Sequence, residues 1–508
     1  MQNRKHRLFV TVVSSTLFLV GGASFFAGSP IGFWKGDSIS KKVLNETVSE
    51  TDNDHAIPRE FSLSEPSFPD RVCNIDDFGA IGDGNTMNTR AFAAAINECA
   101  NRGGGKVLVP KGKWLTGPVV LKDNIWLFLE KDAEILFSVE RADYLPVVRS
   151  RFEGVEYFGY SSPLSARNAE NIAITGEGTI NGQAEKSWWT SVDDPEVAIS
   201  LVELYRMGQD GVPIENRIFG EKKGLRPAFV ELFECRTVLI DGVTFVNGPM
   251  WTIHPLYSDT VSIRNIAVQT HDGRNTDGIV VDSSQNVSIK DSRFSTGDDA
   301  VSIKSGRDND GMRIGRPSKN IFIGNCVVED AHAAIAIGSE VSGGIYDIFV
   351  DTIRVKNADF GIRMKSSPGR GASVHTIRIR DMDIENARIA ALELDQMTGE
   401  AVSVGAALTD FHDIRIENIR CGWTRKPLRF NGAAEQSPYD ITLRDFTLSA
   451  SGTASLENVR DVLVKNLTLT SSRKGKDAGM EIVGSHNVVL EHINLPPSRI
   501  LCKDGCTY

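Results

Sequence analysis

The stretch Asn286-Val287-Ser288-Ile289 shows the pattern that decides the fold: a polar residue followed by an alternating, β-branched run. The same phrase recurs along most of the chain. Its eleven copies begin at residues 171, 237, 260, 286, 320, 347, 376, 413, 440, 461 and 487. After a first interval of 66 residues, successive copies are separated by 21 to 37 residues. A period in this range is typical of a solenoid.

Residue chemistry predicts which kind of solenoid this is. Each copy is short, is rich in Val and Ile, alternates with a period of two, and is bounded by Gly, Asn, Asp or Ser. A helical repeat needs a 3.6-residue period over ten or more residues, and these runs are too short for it. Each coil has room for about three strands, and strands at a fixed register stack into a parallel β-helix. We therefore expect an all-β fold.

Two regions depart from the repeat. The Ala-rich stretch from Thr89 to Asn101 predicts a helix that covers the open end of the first coil, where strand edges need protection. An insertion, roughly Gln183 to Arg226, contains a predicted helix around Val197 to Met207. Long loops on a rigid solenoid usually form or rim the binding face. Within the insertion, Trp188 and Trp189 either stack on sugar rings or anchor the loop.

The N-terminus resembles an export signal. A basic start is followed by an uncharged, largely apolar run from Leu8 to Ile31. We expect residues 1–31 to be a signal peptide, with a signal-anchor as the alternative, because the run is long enough to span a bilayer. Residues 32–70 are polar and predict a flexible linker, and 71–508 form the β-helix domain. The protein is therefore expected outside the cytoplasm, secreted or periplasmic, and in contact with a membrane only through such an anchor.

Composition excludes several classes of function. The chain has 56 Lys and Arg against 66 Asp and Glu, a net charge of −10, which argues against nucleic acid as a partner. Because no C-x-x-C pair occurs, we expect no structural zinc site. We also predict that the protein needs no cofactor and is a monomer. Of the seven cysteines, Cys502 and Cys506 are the predicted disulfide pair. The other five are predicted to be buried thiols: Cys73, Cys99, Cys235, Cys326 and Cys421.

Titratable side chains recur at a similar phase of the repeat. In four consecutive coils they are Asp277, Asp298, His332, and the pair Arg363 and Lys365. Because neighbouring rungs are about 4.8 Å apart, these groups should form one cluster. Asp299 follows Asp298 directly, and adjacent carboxylates repel, which raises the pKa of one of them. An acid pair flanked by His and two cations suits glycosidic cleavage of an anionic sugar. Alternatively, aspartates in such turns cap backbone amides.

An ordered set of motifs resembles the signature of glycoside hydrolase family 28, the polygalacturonases. Its parts are Asn275-Thr276-Asp277-Gly278, Gly297-Asp298-Asp299, His332 and Arg363-Met364-Lys365, and the similarity covers roughly Cys73 to Leu495. The resemblance implies a right-handed parallel β-helix that hydrolyses the α-1,4 links of galacturonan, the pectin backbone, with inversion. One departure is Ala331-His332-Ala333 where the family has Gly-His-Gly, and its two methyl groups should crowd the backbone.

The resemblance also implies a role for each motif residue. Asp298 would be the general acid, whereas Asp277 and Asp299 would position and deprotonate water. His332 would tune the acid. Substrate would be bound by Asn275, Arg363 and Lys365, the last two at the galacturonate carboxylate.

Several alternatives stay open. A pectate-type lyase would need Ca²⁺ and a base, and a non-catalytic β-helix would only bind polysaccharide. The residues do not distinguish galacturonan from rhamnogalacturonan. The insertion, and the similarity of residues 363–371 to bacterial exo-acting members, favour exo action. Lys304 and Arg307 are candidate contacts for a further acidic sugar, and Glu340 is interpreted as structural.

Overall fold

The computed structural model describes residues 61–191, 194–221, 223–399, 406–473 and 478–507. The predicted signal or anchor and most of the predicted linker lie outside these residues. Within the described residues, no helix is both long enough and apolar enough to cross a membrane.

The eleven repeated phrases are parallel strands in register. Val238 pairs with Val261, Val261 with Val287, and Val287 with Ile321, one residue per coil. The first residue of every phrase has a positive φ, between 51° and 61°. This left-handed conformation bends the chain into each strand, and Asn and Asp tolerate it best because their side chains can bond locally. The polar start of the phrase is therefore a turn residue.

All pairings in the solenoid sheet are parallel, as the repeat predicts. The strands of the first coils are Val72–Asn74, Gly105–Val109, Gly112–Thr116, Val119–Leu121, Ile125–Leu129, Ala133–Phe137, Leu164–Arg167, Glu170–Gly176 and Thr179–Asn181. Those of the middle coils are Val230–Phe233, Arg236–Asp241, Thr244–Val246, Ile253–Leu256, Asp259–Arg264, Ala267–Thr270, Ile279–Asp282, Gln285–Lys290, Arg293–Thr296, Val301–Lys304, Ser318–Asp330, Ala333–Ile337 and Ile345–Lys365. The last coils contain Ser373–Asp395, Asp410–Asn431, Tyr439–Ala450, Ala454–Glu457, Arg460–Ser471, Met480–Val483, His486–Glu491 and Ile500–Lys503.

The predicted cap is helix α1, Thr89–Asn101. It buries Phe92, Ala95 and Ile96 against the first coil. Because its Cys99 lies beside the strand Val72–Asn74, it forms a disulfide with Cys73, with 6.2 Å between the Cα atoms. The prediction that both are free thiols was therefore wrong: the cap is covalently joined to the strand that it covers.

The remaining cysteines follow the prediction. Cys502 is bonded to Cys506. Cys235, Cys326 and Cys421 are buried free thiols.

A lateral unit, unlike the coils, packs on one side of the solenoid. It comprises the hairpin Val148–Phe152 and Val155–Gly159, the strand Ile218–Phe219, and helices α2 (Pro195–Gln209) and α3 (Asp308–Ile314). Helix α2 is the helix predicted in the insertion. It begins after Asp194, whose side chain accepts a hydrogen bond from the Glu196 amide at 2.9 Å. A separate apolar core joins the unit to the solenoid, and it includes Tyr157 and Leu204 of the unit and Trp251 of the solenoid.

The end of the predicted linker lies against the solenoid. Phe61 packs on Phe322 and Phe349, with ring centroids 5.7 Å apart in each pair. At the other end of this short segment, Phe68 stacks on Trp126 at 5.7 Å. Residues 61–68 therefore run along the outside of several coils, which differs from the free tether expected here.

Candidate active site

The three aspartates come from turns that precede two neighbouring strands. Asp277 precedes Ile279–Asp282, and Asp298 and Asp299 precede Val301–Lys304, which pairs with it through Ile279 and Val301. One oxygen from each carboxylate lies within 4.8 Å of an oxygen of the other two. Asp277 and Asp299 are buried, whereas Asp298 is half-buried. The structure thus brings the predicted carboxylates together.

Two glycines allow this close approach. A Cβ atom on Gly297 would lie 1.7 Å from the Gly273 carbonyl oxygen, and one on Gly278 would lie 2.4 Å from the Ala300 carbonyl oxygen. Neither contact is possible for a real side chain. The turns that present the aspartates therefore require glycine at both positions.

Charge is distributed unequally over the three carboxylates. Burial raises the pKa of Asp277 well above its usual value, and Asp298 and Asp299 raise it further. Burial and then the charge of Asp299 raise the pKa of Asp298. Burial acts in the same direction on Asp299, but the surrounding cations, Lys365 foremost, outweigh it and lower the pKa of that carboxyl. The site therefore holds an ionised Asp299 beside two carboxyls that favour the proton.

Asn275 links the cluster to the end of the insertion. Its Nδ2 donates to Asp298 Oδ2 at 3.5 Å, and its Oδ1 accepts from Arg226 Nη2 at 3.1 Å. Arg226 also donates to the carbonyls of Pro249 and Arg274, at 2.9 and 2.8 Å. Asn275, the predicted substrate contact, is therefore held by Asp298 on one side and by Arg226 on the other.

His332 and Arg363 are bonded to each other. Arg363 Nη1 donates to His332 Nε2 at 2.6 Å, while Nδ1 of His332 lies 2.9 Å from Asp359 Oδ2. Arg363 Nε donates to Glu393, which is fully buried, at 2.9 Å. The methyl groups of Ala331 and Ala333, which were expected to crowd the backbone beside His332, are instead accommodated in apolar surroundings. Both residues are buried in hydrophobic clusters.

The cations divide into two groups. Lys365 Nζ donates to Asp299 Oδ2 at 3.3 Å and keeps 15% of its side chain exposed. Lys304, by contrast, is buried and donates to buried Glu340 at 2.7 Å. Arg307 stacks on Tyr205 of α2, with its Cζ 3.7 Å from the ring centroid. Lys365 is therefore better placed than Lys304 to meet a ligand.

The two tryptophans of the insertion are packed rather than displayed. Trp188 is fully buried, in edge contact with Tyr144 at 5.6 Å and with Tyr160 at 5.4 Å. Trp189 donates from Nε1 to the Gly248 carbonyl at 3.0 Å. Of the two interpretations, the geometry favours the anchor for Trp188.

The same aspartates are the group that could hold a metal ion. Within the described part of the chain, Asp277, Asp298 and Asp299 form the one cluster of His, Cys, Asp or Glu with suitably close ligand atoms. Because Lys365 already pairs with Asp299, a divalent ion would have to compete with it.

Sequence reasoning missed Asp359, Glu393 and Arg226. The first two could have been found, because Asp359 lies 27 residues after His332 and Glu393 lies 30 after Arg363, about one coil in each case. Neither residue belongs to one of the recognised motifs. Arg226 had no such signal, since the insertion interrupts the repeat.

Comparison with known proteins assigns the chain to one family. Residues 215–475, about half of the chain, match the family described as "Glycosyl hydrolases family 28". The chain belongs to this family. It is therefore a glycoside hydrolase, and its solenoid is the right-handed parallel β-helix expected from the resemblance.

Individual family members are similar over much of the chain. A "Probable polygalacturonase" of Vitis vinifera is 35% identical over 62% of this chain, which spans 61% of that protein's length. An "Exo-poly-alpha-D-galacturonosidase" of Dickeya chrysanthemi is 28% identical over 80% of this chain and 72% of its own length. The crystal structure of a hyperthermoactive exopolygalacturonase from Thermotoga maritima has a TM-score of 0.70 and 33% identity, and covers 84% of this chain and 94% of its own.

Proposed function

We propose that this hydrolase cleaves the α-1,4 links of polygalacturonate by acid and base catalysis. The observation that supports the proposal most is the cluster of three carboxyls, whose oxygens lie within 4.8 Å of one another beside the Lys365 ammonium. The pKa of Asp298 is raised and that of Asp299 is lowered, so one carboxyl can donate a proton while its neighbour accepts one.

In this proposal each aspartate has its own task. Asp298, which is half-buried and has a raised pKa, donates its proton to the leaving glycosidic oxygen. Asp299 is ionised and takes a proton from the attacking water. Asp277 has a raised pKa in the free site, which favours a role in holding the water over a role as its base. The resemblance implied that Asp277 and Asp299 together position and deprotonate the water; in this proposal Asp277 positions it and Asp299 deprotonates it.

Arg363 and Lys365 supply the preference for acidic sugars. They are two residues apart in one strand, so both side chains point to the face that holds the aspartates. Arg can grip a carboxylate with two hydrogen bonds, and Lys adds a point charge. A uronate bound there would have its carboxylate beside Lys365, which already contacts Asp299.

We extend the proposal to exo action on the end of the polymer. Residues of the insertion contact the site and its surroundings: Arg226 donates to Asn275, and Tyr205 of α2 stacks on Arg307. An insertion that closes one end of the substrate groove would admit a chain terminus and exclude a continuous chain. The names of the Dickeya and Thermotoga relatives agree with this mode. We further propose export to the extracellular space or periplasm and a monomeric state.

The first experiment follows product sizes from polygalacturonate over time. The expected result is galacturonate monomer or dimer from the earliest time points, with the polymer shortened slowly. A ladder of mixed oligomers would instead show endo action. Absence of new reducing ends would contradict hydrolysis, and chelator-sensitive ultraviolet absorbance would indicate a lyase. Rhamnogalacturonan is the control substrate and should yield no product.

Stereochemistry needs its own measurement. Hydrolysis with inversion usually places the two carboxyls about 6.5–9.5 Å apart, and retention about 5–5.5 Å. The oxygen spacing within 4.8 Å, taken alone, is closer to the retaining geometry. Inversion is implied by the family resemblance and predicts the β anomer as first product. Proton NMR of the first-formed sugar tests it, and initial release of the α anomer would contradict it.

A further inference from the structure

His332 is held at both ring nitrogens, and the chemistry of its partners fixes where its proton lies. Arg363 has only donors to offer, so His332 Nε2 must accept its hydrogen bond, which is 2.6 Å long. The imidazole proton then sits on Nδ1, which donates to Asp359 Oδ2 at 2.9 Å. Phe360 packs edge-on against the ring at 5.2 Å.

Asp359 is itself held by an arginine. Arg388 Nε donates to Asp359 Oδ1 at 2.6 Å, and the same guanidinium donates to Asp330 at 2.8 Å and to the Ala331 carbonyl at 3.1 Å. Arg388 therefore fixes both the carboxylate that faces His332 and the backbone that leads into His332. No sequence motif of the site contains either residue.

We propose that Asp359, oriented by Arg388, is a positioning residue that fixes the Nδ1–H tautomer of His332 and thereby the guanidinium of Arg363. The chain of contacts runs from Arg388 through Asp359 and His332 to Arg363, the residue expected to grip the uronate. With the proton on Nε2 instead, two donors would face each other and Arg363 would lose a partner that aims it. This inference rests on the proposed function for its effect on activity, but not for its effect on the tautomer.

The contact between Arg388 and Asp359 predicts how the variant Asp359→Asn would orient its side-chain amide. In Asp359→Asn, the atom that faces Arg388 Nε must be the amide oxygen, because only oxygen can accept that bond. The amide nitrogen then faces His332 Nδ1 and donates to it, which forces the proton onto Nε2. Asparagine at this position therefore selects the wrong tautomer, as is known for the aspartate of a serine-protease triad.

Removing Arg388 should reverse this effect. In the double variant Asp359→Asn with Arg388→Met, the amide is free to turn its oxygen towards His332 Nδ1. The single Asp359→Asn variant should raise KM and lower kcat/KM about 10- to 100-fold, the range for residues that orient a metal-binding histidine. The double variant should be more active than this single variant, although it carries one more substitution. A purely structural role would instead make the two losses accumulate.

The tautomer can be measured directly by nitrogen NMR of protein labelled with ¹⁵N-histidine, with His332→Gln used to assign the signals. The expected forms are Nδ1–H in the wild type, Nε2–H in Asp359→Asn, and Nδ1–H again in the double variant. Unchanged tautomers, or a double variant no more active than Asp359→Asn, would overturn the inference. If no variant, the wild type included, acts on polygalacturonate, the proposed function fails while the tautomer result still stands.

The chain offers a matched control. Asp351 accepts from Arg380 Nη2 at 2.6 Å and joins the same two strands, Ile345–Lys365 and Ser373–Asp395, away from His332. Asp351→Asn should leave the His332 tautomer and the kinetic constants unchanged. A loss equal to that of Asp359→Asn would show that any broken pair between these strands suffices, and would also overturn the inference.

Discussion

Two regions of the solenoid place aspartates on neighbouring coils, but the carboxyls have different partners in each. In the last coils, Arg378 donates to the side chain of Asp413 at 2.7 Å and to its backbone carbonyl at 2.8 Å. One coil later, Arg415 makes the same two bonds to Asp440, both at 2.6 Å. We call these two pairs the arginine ladder. In the active site, by contrast, Asp277, Asp298 and Asp299 face one another.

The difference lies in how charge is neutralised. Each ladder carboxylate meets an arginine from the preceding coil, and the pKa of Asp413 is lowered, because hydrogen bonds and positive charge outweigh partial burial. In the site, Lys365 pairs with Asp299, whereas Lys304 and Lys365 only partly offset the raised pKa of Asp277. Oδ1 of buried Asp299 has no hydrogen-bond partner among the described residues. Burial, together with the negative charge of the neighbouring carboxyls, raises the pKa of Asp277 and Asp298, and perturbed groups of this kind cluster at catalytic sites.

The largest expected effect separates the two regions by activity. Asp298→Asn removes the proton donor and should lower kcat on the order of 10²-fold or more, the range for a general acid, with KM little changed. Reducing-end release from oligogalacturonate measures it. The control is Asp413→Asn in the arginine ladder, where kcat should not change. Near-normal turnover by the Asp298 variant would contradict its assignment as the acid.

The sequence was sufficient for the repetitive part of the molecule. The phrase that begins at Asn286 located the strands, because alternation and turn chemistry are local properties. The period of the repeat also placed Asp277, Asp298 and Lys365 in one cluster, because neighbouring strands of the solenoid have a fixed spacing. The α1 cap was also predicted with its observed bounds.

Features that depend on contacts between distant segments were not predicted. The Cys73–Cys99 disulfide depends on how α1 lies on the first strand, and nothing in either local pattern shows it. The hairpin Val148–Gly159 pairs with Ile218–Phe219 across the insertion, where the repeat gives no register. The pKa direction of Asp277 depends on burial by other coils. Each is a property of packing.

An intermediate effect tests whether Lys365 belongs to the substrate or to the carboxyls. Lys365→Met should raise KM for oligogalacturonate about tenfold, the loss of one charge-assisted contact of roughly 1.5 kcal/mol. It should also reduce the preference for free over methyl-esterified substrate. The variant removes the main cation that lowers the pKa of Asp299, the proposed base. The acid limb of the activity profile, where this carboxyl must lose its proton, should therefore move to higher pH.

The two readouts distinguish the alternatives for Lys365. If it only balances the aspartates, the pH profile should shift while the preference for free substrate stays unchanged. In that case Lys365 would resemble Arg378 of the arginine ladder, a neutralising cation without a ligand. An unaltered preference would therefore overturn the binding role.

The smallest effect concerns stability and has opposite signs in the two regions. At neutral pH, Asp277→Asn should stabilise the fold by about 1 kcal/mol, because it removes a carboxyl that resists ionisation. Asp413→Asn should destabilise it by about 1 kcal/mol, because it weakens bonds from Thr376 and Arg378. Urea unfolding of both variants and the wild type, at neutral and at acid pH, measures the difference.

The pH dependence follows from the direction of each pKa shift. The folded pKa of Asp277 is raised, so its contribution to stability is present below the unfolded value of about 3.9 and is lost as pH rises through the folded pKa. The folded pKa of Asp413 is lowered, so its contribution is present above the unfolded value and is lost as pH falls through the folded pKa. The gain from Asp277→Asn and the cost of Asp413→Asn should therefore both shrink towards acid pH. Two variants that destabilise alike at neutral pH would show that the site aspartates are neutralised as well as those of the arginine ladder.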